Sequence, residues 1–231
     1  MYAKFFKRIM DFALSLGALL VLSPVLLLLV MVNAIAMRGN PFFVQPRPGR
    51  KGKDGKERIF NLIKFRTMTN AKDKNGNLLP DDVRLTRWGK FLRSTSLDEL
   101  PELFNILSGS MSIVGPRPLL VRDMVFMTEE QRKRHKVLPG LTGLAQCSGR
   151  NNMTWEQRFA YDLTYIERIT LTGDVRILFK TIVKVFARDG ITEEGLATAE
   201  DLGDYLLREN TVLKSEYERK QEEARELIRN R

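Results

Sequence analysis

The sequence predicts a mainly helical α+β membrane protein: a re-entrant N-terminal helix-break-helix enters and leaves the bilayer on one face and carries a small cytoplasmic domain. Three observations lead there. Residues 12–37 are 26 consecutive positions without a charge, and about 20 apolar residues suffice to cross a bilayer. Ser23-Pro24 sits almost at the midpoint of that run, where proline removes a helix hydrogen bond and clashes with the preceding turn. Basic residues flank both ends, Lys4, Lys7 and Arg8 before it and Arg38, Arg47, Arg50, Lys51 and Lys53 after it.

Basic flanks favour the cytoplasmic face. A straight span cannot keep both there, whereas a helix that bends at Ser23-Pro24 and returns can; a single proline-kinked span is the alternative. In lipid the carbonyl freed by proline needs a partner, and the Ser23 hydroxyl is well placed to help. Ala34-Ile35-Ala36 resembles a signal-peptide cleavage site, but the apolar core is too long for one and Asp11 is badly placed. Residues 1–38 are therefore assigned to the membrane hairpin.

The next segment, 39–192, reads as one globular domain. Phe42-Phe43-Val44 and 59–63 are β-prone runs separated by Gly/Lys-rich turn sequence, which suggests a hairpin. Residues 69–82, with Asn75-Gly76, form a polar surface loop. Residues 97–107 look helical. Trp155, Phe159, Leu163 and Ile166 recur at helical spacing over 155–168, and Ile177, Leu178, Ile182 and Val185 do so over 175–185. That last helix is amphipathic enough to lie on a membrane surface. The tail, 193–231, is charged on most faces with one weak apolar stripe, a helical appendage or a partner contact.

Charge is unevenly spread. The 231 residues carry a net charge of +10, but residues 1–66 hold 12 Lys/Arg against 3 Asp/Glu while residues 193–231 hold 7 against 11. The basic excess lies beside the membrane run, and neither a helix-turn-helix nor an aromatic-basic platform is present. Anionic headgroups or phosphorylated substrates, not nucleic acid, are the partners this implies. The single cysteine, Cys147, excludes an internal disulfide and fits a reducing compartment.

Chemistry concentrates in 84–150. Arg84, Arg87 and Arg93 lead into Ser96-Leu97-Asp98-Glu99-Leu100-Pro101. Ser96 with Glu99 three residues later is a capping-box pattern, and Asp98 in the first turn complements the helix dipole. Adjacent carboxylates also suit a nucleophile or metal ligand beside a proton-handling partner, and a helix start favours phosphate. In Gly115-Pro116-Arg117-Pro118 two prolines make either a simple turn or a rigid mount for a phosphate-clamping guanidinium. The segments 139–143 and Gly149-Arg150 are turns or gathered backbone amides around a phosphate. His135, the only histidine, has no nucleophile to pair with and reads as structural.

Together these motifs resemble the bacterial monotopic phosphoglycosyl transferases, or bacterial sugar transferases, over residues 2–194. The carriers are Phe6-Lys7-Arg8 with Asp11, Ser23-Pro24, Gln45-x-Arg47-Pro48-Gly49, Lys64-Phe65-Arg66-Thr67-Met68 and Leu92-Arg93-Ser94-x-Ser96-Leu97-Asp98-Glu99-Leu100. They continue through Met111-Ser112-x-Val114-Gly115-Pro116-Arg117-Pro118, Pro139-Gly140-x-Thr142-Gly143-x-Ala145-Gln146 and Gly149-Arg150. Two departures stand out: relatives often have Gly-Asp-Met-Ser where Gly109-Ser110-Met111-Ser112 stands, and Trp where Leu144 stands. With little chain before Lys7, the sequence looks like the minimal class that initiates glycan assembly on a polyprenyl phosphate.

The resemblance implies a reaction on the cytoplasmic face of the bacterial inner membrane. Sugar-1-phosphate passes from a UDP-sugar to undecaprenyl phosphate with release of UMP, by a ping-pong route using Mg²⁺ and a phosphorylated aspartate. On this chain it implies Asp98 as nucleophile and metal ligand, and Glu99 as its orienting or proton-handling neighbour. Arg117 would hold phosphate, with Lys64, Arg93 and Arg150 neutralising further charge. Lys7 and Arg8 would anchor on headgroup phosphates, Ser23-Pro24 would set the break, and Asp162 and Asp174 match family positions without an assigned role. His135-Lys136 and the 193–200 region are most similar to enzymes using N-acetylated sugars. A homodimer or pathway glycosyltransferases are further partners to be sought. A non-catalytic membrane scaffold, or a binder of anionic polymers, is the competing reading.

Overall fold

In the computed structural model the uncharged run forms one helix, α1 (Phe6–Ala36), after a 3-10 turn at Tyr2–Lys4. The structure describes residues 2–149, 153–187 and 200–231, without the side chains of 185–187. The helix continues through Ser23-Pro24, so the expected break is no interruption of its helical backbone. Pro24 has no N–H to give the Leu20 carbonyl, and Ser23 Oγ donates to that same oxygen at 2.8 Å. The hydroxyl thus satisfies the acceptor that proline leaves open.

One stripe of α1 packs on the rest of the chain: Asp11, Ser15, Leu19, Leu26, Leu29 and Asn33 are buried at spacings that keep to one helical face. Leu19, Leu26 and Leu29 share a core with Leu62, Phe65, Leu92, Leu103, Ile106 and Met111. Polar groups fix both ends of the stripe. Asp11 Oδ1 accepts from the Ile113 amide at 3.1 Å, while Asn33 accepts from Trp88 Nε1 at 2.9 Å and donates to the Pro41 carbonyl at 2.6 Å. The opposite face leaves Phe12, Leu20, Val21, Leu27, Leu28, Met31 and Ile35 exposed.

After α1, β1 (Phe42–Lys51) and β2 (Glu57–Phe65) pair antiparallel, with Phe42 opposite Phe65 and Pro48 opposite Ile59. The predicted hairpin is present, with longer arms. Its two-stranded form leaves an open edge, which tolerates Pro46 and Pro48. The polar loop follows, its Asn75-Gly76 turn tied by Asp73 Oδ1, which accepts from the Asn75 and Asn77 amides. Helices α2 (Asp81–Arg84) and α3 (Arg87–Ser94) come next. The segment 97–107 is not one helix but a 3-10 turn, Leu97–Glu99, followed by α4 (Glu102–Ser108). Pro101 between them has no amide to donate, which breaks the ladder there.

Arg8 reaches the last turn of α4, donating to the carbonyls of Ile106 at 2.6 Å and Leu107 at 3.0 Å. Both acceptors lie at the negative end of the helix dipole, and Ile106 also accepts from the Gly109 amide at 3.1 Å. Lys7 pairs with Asp174 at 2.6 Å. Both cations, expected on headgroup phosphates, are instead satisfied by the protein, because α1 presents this face to the domain.

The strands β3 (Ser112–Val114) and β4 (Gly140–Thr142) pair in parallel, so 139–143 is largely a strand, not an amide nest. Backbones approach so closely here that a Cβ on Gly140 would fall 2.1 Å from the Gly115 nitrogen. Between them lies α5 (Val121–Met124), and after them α6 (Leu144–Ser148), α7 (Trp155–Glu167) and α8 (Leu171–Ala187). The helical periodicities over 155–168 and 175–185 match α7 and α8; the Val185 side chain lies outside those described. In the tail, α9 (Leu202–Arg208) and α10 (Lys214–Arg229) place Leu202 and Ala224 in a core with Val121, Met124, Phe126 and Phe159. The weak apolar stripe therefore closes a core of the domain itself. The 192/193 boundary lies outside the described residues.

Candidate active site

Charged side chains from four segments converge at the 3-10 turn. Lys64 comes from the end of β2, Arg93 from the last turn of α3, Asp98 and Glu99 from the turn itself, and Arg117 from the loop after β3. Ser96 just before the turn is left-handed, φ +54°, and makes no capping hydrogen bond. The capping box does not form because Glu99 has stronger partners. Its Oε1 accepts from Lys64 Nζ and from Arg117 Nη2, both at 2.7 Å, and charge-assisted bonds outweigh a neutral cap.

A third carboxylate, Glu102, lies 3.1 Å from Lys64 Nζ and is itself buried. Sequence reading missed it. The available signal was spacing, since Glu102 follows Asp98 by one helical turn. Burial opposes the charge on Lys64, yet Glu99 and Glu102 outweigh it and raise its pKa above the ordinary value. Burial likewise works to raise the Glu99 carboxyl, but Arg117 and Lys64 hold it well below the usual range. Glu99 in turn pushes Arg117 upward.

Asp98 differs from its neighbour. It is 9% exposed, and Lys64 and Arg117 bond Glu99 instead. Burial, and then the adjacent Glu99, push its carboxyl up to about 6 against the pull of Lys64, Arg117 and Arg93. Burial pushes Glu102 up to about 7. Arg93 Nε donates to Thr67 Oγ1 at 3.1 Å, and burial lowers its pKa against the attraction of Asp98. The cluster thus holds one carboxylate locked between cations and another poised beside them.

The remaining predicted residues fall elsewhere. Asp162 pairs with Arg134 at 2.7 Å, both side chains almost fully buried. Asp174 accepts from Lys7, Tyr2 and Tyr165, tying the N-terminus to α7 and α8. Arg150 lies outside the described residues. His135 is buried with Nδ1 3.2 Å from Glu57 Oε1, and burial lowers its pKa to about 4, in line with a structural role. Ser110, where relatives often carry Asp, donates to the Asn105 carbonyl at 3.0 Å at the end of α4. Leu144 packs against the small core around Val114, Cys147, Tyr165 and Ile177.

Among the described residues no group of three or more His, Cys, Asp or Glu side chains could by itself hold a metal. Mg²⁺ is commonly held by one or two carboxylates plus substrate phosphates and water. Asp98, uncommitted to Lys64 or Arg117, fits that mode. A cavity of about 500 Å³ opens between α6 and α7, lined by Ser148, Gly149, Met153, Gln157, Tyr161 and Thr164; none of the clustered charges lines it.

Comparison with known proteins gives the chain its family. The chain is 43% identical over 194 residues to the uncharacterized sugar transferase EpsL of Bacillus subtilis, covering 84% of this chain and 94% of that protein. It is 41% identical over 191 residues to a UDP-glucose:undecaprenyl-phosphate glucose-1-phosphate transferase of Klebsiella pneumoniae, and 36% over 206 residues to an undecaprenyl-phosphate galactose phosphotransferase of Salmonella typhimurium. Those matches cover 78% and 81% of this chain but only 40% and 42% of the relatives, so the chain spans about two fifths of their length. The family model described as bacterial sugar transferase matches residues 2–188, and the chain belongs to that family of transferases.

Proposed function

We propose that the protein transfers sugar-1-phosphate from a UDP-sugar to undecaprenyl phosphate, releasing UMP, as the first membrane step of glycan assembly. The observation that carries this is the pairing of a poised Asp98 with a Glu99 locked between Lys64 and Arg117. A carboxylate oxygen of Asp98 attacks the phosphorus that bears the sugar. The bond to the bridging oxygen breaks, UMP departs with that electron pair, and a phosphosugar-aspartate remains. A phosphate oxygen of undecaprenyl phosphate then attacks the same phosphorus and releases the Asp98 carboxylate.

Every participant is an anion, so the reaction needs fixed positive charge around phosphorus. Arg117 and Lys64 supply it, and Glu99 keeps both aimed at one point while substrate is absent. Arg93 balances Asp98 from the α3 side. Mg²⁺, held by Asp98 and the diphosphate, would neutralise the developing charge on the departing phosphate. The residues that suggested an N-acetylated sugar do not help choose the donor: His135 pairs with Glu57, and 193–199 lie outside the described residues. The relatives' names carry glucose and galactose, so the donor is proposed as a UDP-hexose, with or without an N-acetyl group.

Membrane placement follows from α1. Asp11 and Asn33, near its two ends, both bond the same domain, and the stretch between them rises about 33 Å at 1.5 Å per residue. A helix crossing a core of about 30 Å at right angles could not keep both ends on a domain lying on one side. This contact pattern supports an α1 that lies in one leaflet and returns both flanks to the cytoplasmic face. The exposed Val175, Phe179, Ile182 and Val183 of α8 supply a second apolar surface for the interface. The test is UMP release from membranes given undecaprenyl phosphate, Mg²⁺ and a panel of UDP-glucose, UDP-galactose and UDP-N-acetylated sugars. Release with at least one donor supports the proposal; none with any donor overturns it.

A further inference from the structure

The segment that carries Arg117 is anchored in an unusual way. Pro116 and Pro118 have no amide hydrogen, so Pro116-Arg117-Pro118 can be tied down mainly through its carbonyls. All three are held. The Pro116 carbonyl accepts from the Gly140 amide at 2.9 Å. The Arg117 carbonyl accepts from Arg134 Nη2 at 2.7 Å, and the Pro118 carbonyl accepts from Arg47 Nη1 at 3.1 Å.

Two of those three donors are guanidinium groups from distant parts of the chain, and each is itself oriented. Arg134, 2% exposed, gives Nε to Asp162 Oδ2 at 2.9 Å. Arg47 gives Nη2 to Gln45 Oε1 at 2.6 Å. Arg134 lies over the Phe159 ring, 5.9 Å from its centroid. A buried arginine is costly to desolvate and is retained only where its charge and donors are matched. Asp162 meets the charge through Nε and Nη2, and Nη2 also donates to the Arg117 carbonyl.

We infer that Arg134 and Arg47 are positioning residues for Arg117: they hold two consecutive carbonyls, its own and that of Pro118, so that its guanidinium meets Glu99 and the substrate phosphate in one orientation, with Asp162 holding Arg134. The inference rests on the transfer proposed above and gives Asp162 a task within it. Removing Asp162 would leave a buried charge unpaired and threatens folding, so the test uses conservative changes. Arg134→Lys keeps a cation for Asp162 but cannot serve both acceptors in the same planar geometry, and Arg47→Lys likewise cannot serve Gln45 and the Pro118 carbonyl together.

The experiment measures UMP release by the full-length protein in nanodiscs, for each variant alone and combined with Arg117→Ala. Loss of an orienting partner costs about 10- to 100-fold, so either variant should lower kcat/KM by that factor. In the Arg117→Ala background the same change should cost less than about twofold, because the group being positioned is gone. Equal losses in both backgrounds, or full activity in the single variants, would overturn the inference. The Arg117 Nε–H resonance reports without turnover: it should shift or broaden in Arg134→Lys and Arg47→Lys, and an unchanged resonance in both contradicts the inference. Should Arg134→Lys fail to fold, Arg47→Lys carries the same test. Absence of UMP from the wild type would instead sink the transfer reading, and the resonance would still decide the positioning.

Discussion

Asp98 and Glu99 are neighbours in sequence and opposites in proton affinity, because Lys64 and Arg117 bond one and leave the other. In the proposed transfer Asp98 attacks only when ionised. With its carboxyl at about 6, kcat/KM should fall about tenfold per pH unit below that value and be flat above it. A profile flat down to pH 4 would argue against Asp98 as the titrating nucleophile. The stability sign runs the other way. A raised carboxyl favours the protonated folded state, so its contribution is present below the ordinary carboxylate range and fades as pH rises through about 6. Asp98→Asn should therefore abolish turnover yet melt no lower than wild type at pH 8, as thermal scans in detergent would show. At this scale the carboxylate pair and Arg117 are legible from local motifs, whereas Lys64 enters only through the family resemblance. Glu102 was overlooked beside the proline, and Arg134 could not be read because its partners, Asp162 and the Arg117 carbonyl, are distant in sequence.

Helix α1 shows what local pattern reveals about an element and what it hides. The uncharged run and Ser23-Pro24 predicted a long apolar element broken at the proline; the helix is continuous there, and the Ser23 bond to the Leu20 carbonyl follows directly from proline chemistry. The buried stripe ending in Asn33 was hidden, because its partners Trp88 and Pro41 are set by packing. Asn33→Ala leaves the indole N–H of Trp88 and the Pro41 carbonyl without that partner. An unsatisfied buried polar group costs about 1–3 kcal/mol, so the variant should melt several degrees lower while keeping its membrane attachment; an unchanged melting temperature would mean that the contact is not stabilising. The segment 97–107 failed as a single helix because Pro101, present in the sequence, has no amide for the ladder; only the lost cap at its start was hidden. Lys64 and Arg117, far away in sequence, take Glu99 from the cap that Ser96 would have made.

For the whole molecule the issue is depth. The cores built by β1, β2, α3, α4 and α1 fix the Asp98 turn relative to the membrane helix, and the tail closes the opposite core. If both flanks of α1 share one face, Tyr2→Cys and Phe60→Cys should label from the same side in intact cells, Cys147 being buried. Opposite-side labelling would replace the re-entrant arrangement with a span. The central claim, though, is the covalent step at Asp98. Its most direct test incubates purified protein with a UDP-sugar and Mg²⁺ but no lipid acceptor. The account predicts about one UMP per active site and an intact mass increased by one sugar phosphate, localised to the Asp98 peptide and absent in Asp98→Asn. UMP formed only once undecaprenyl phosphate is added, with no mass increase on the protein, would contradict it.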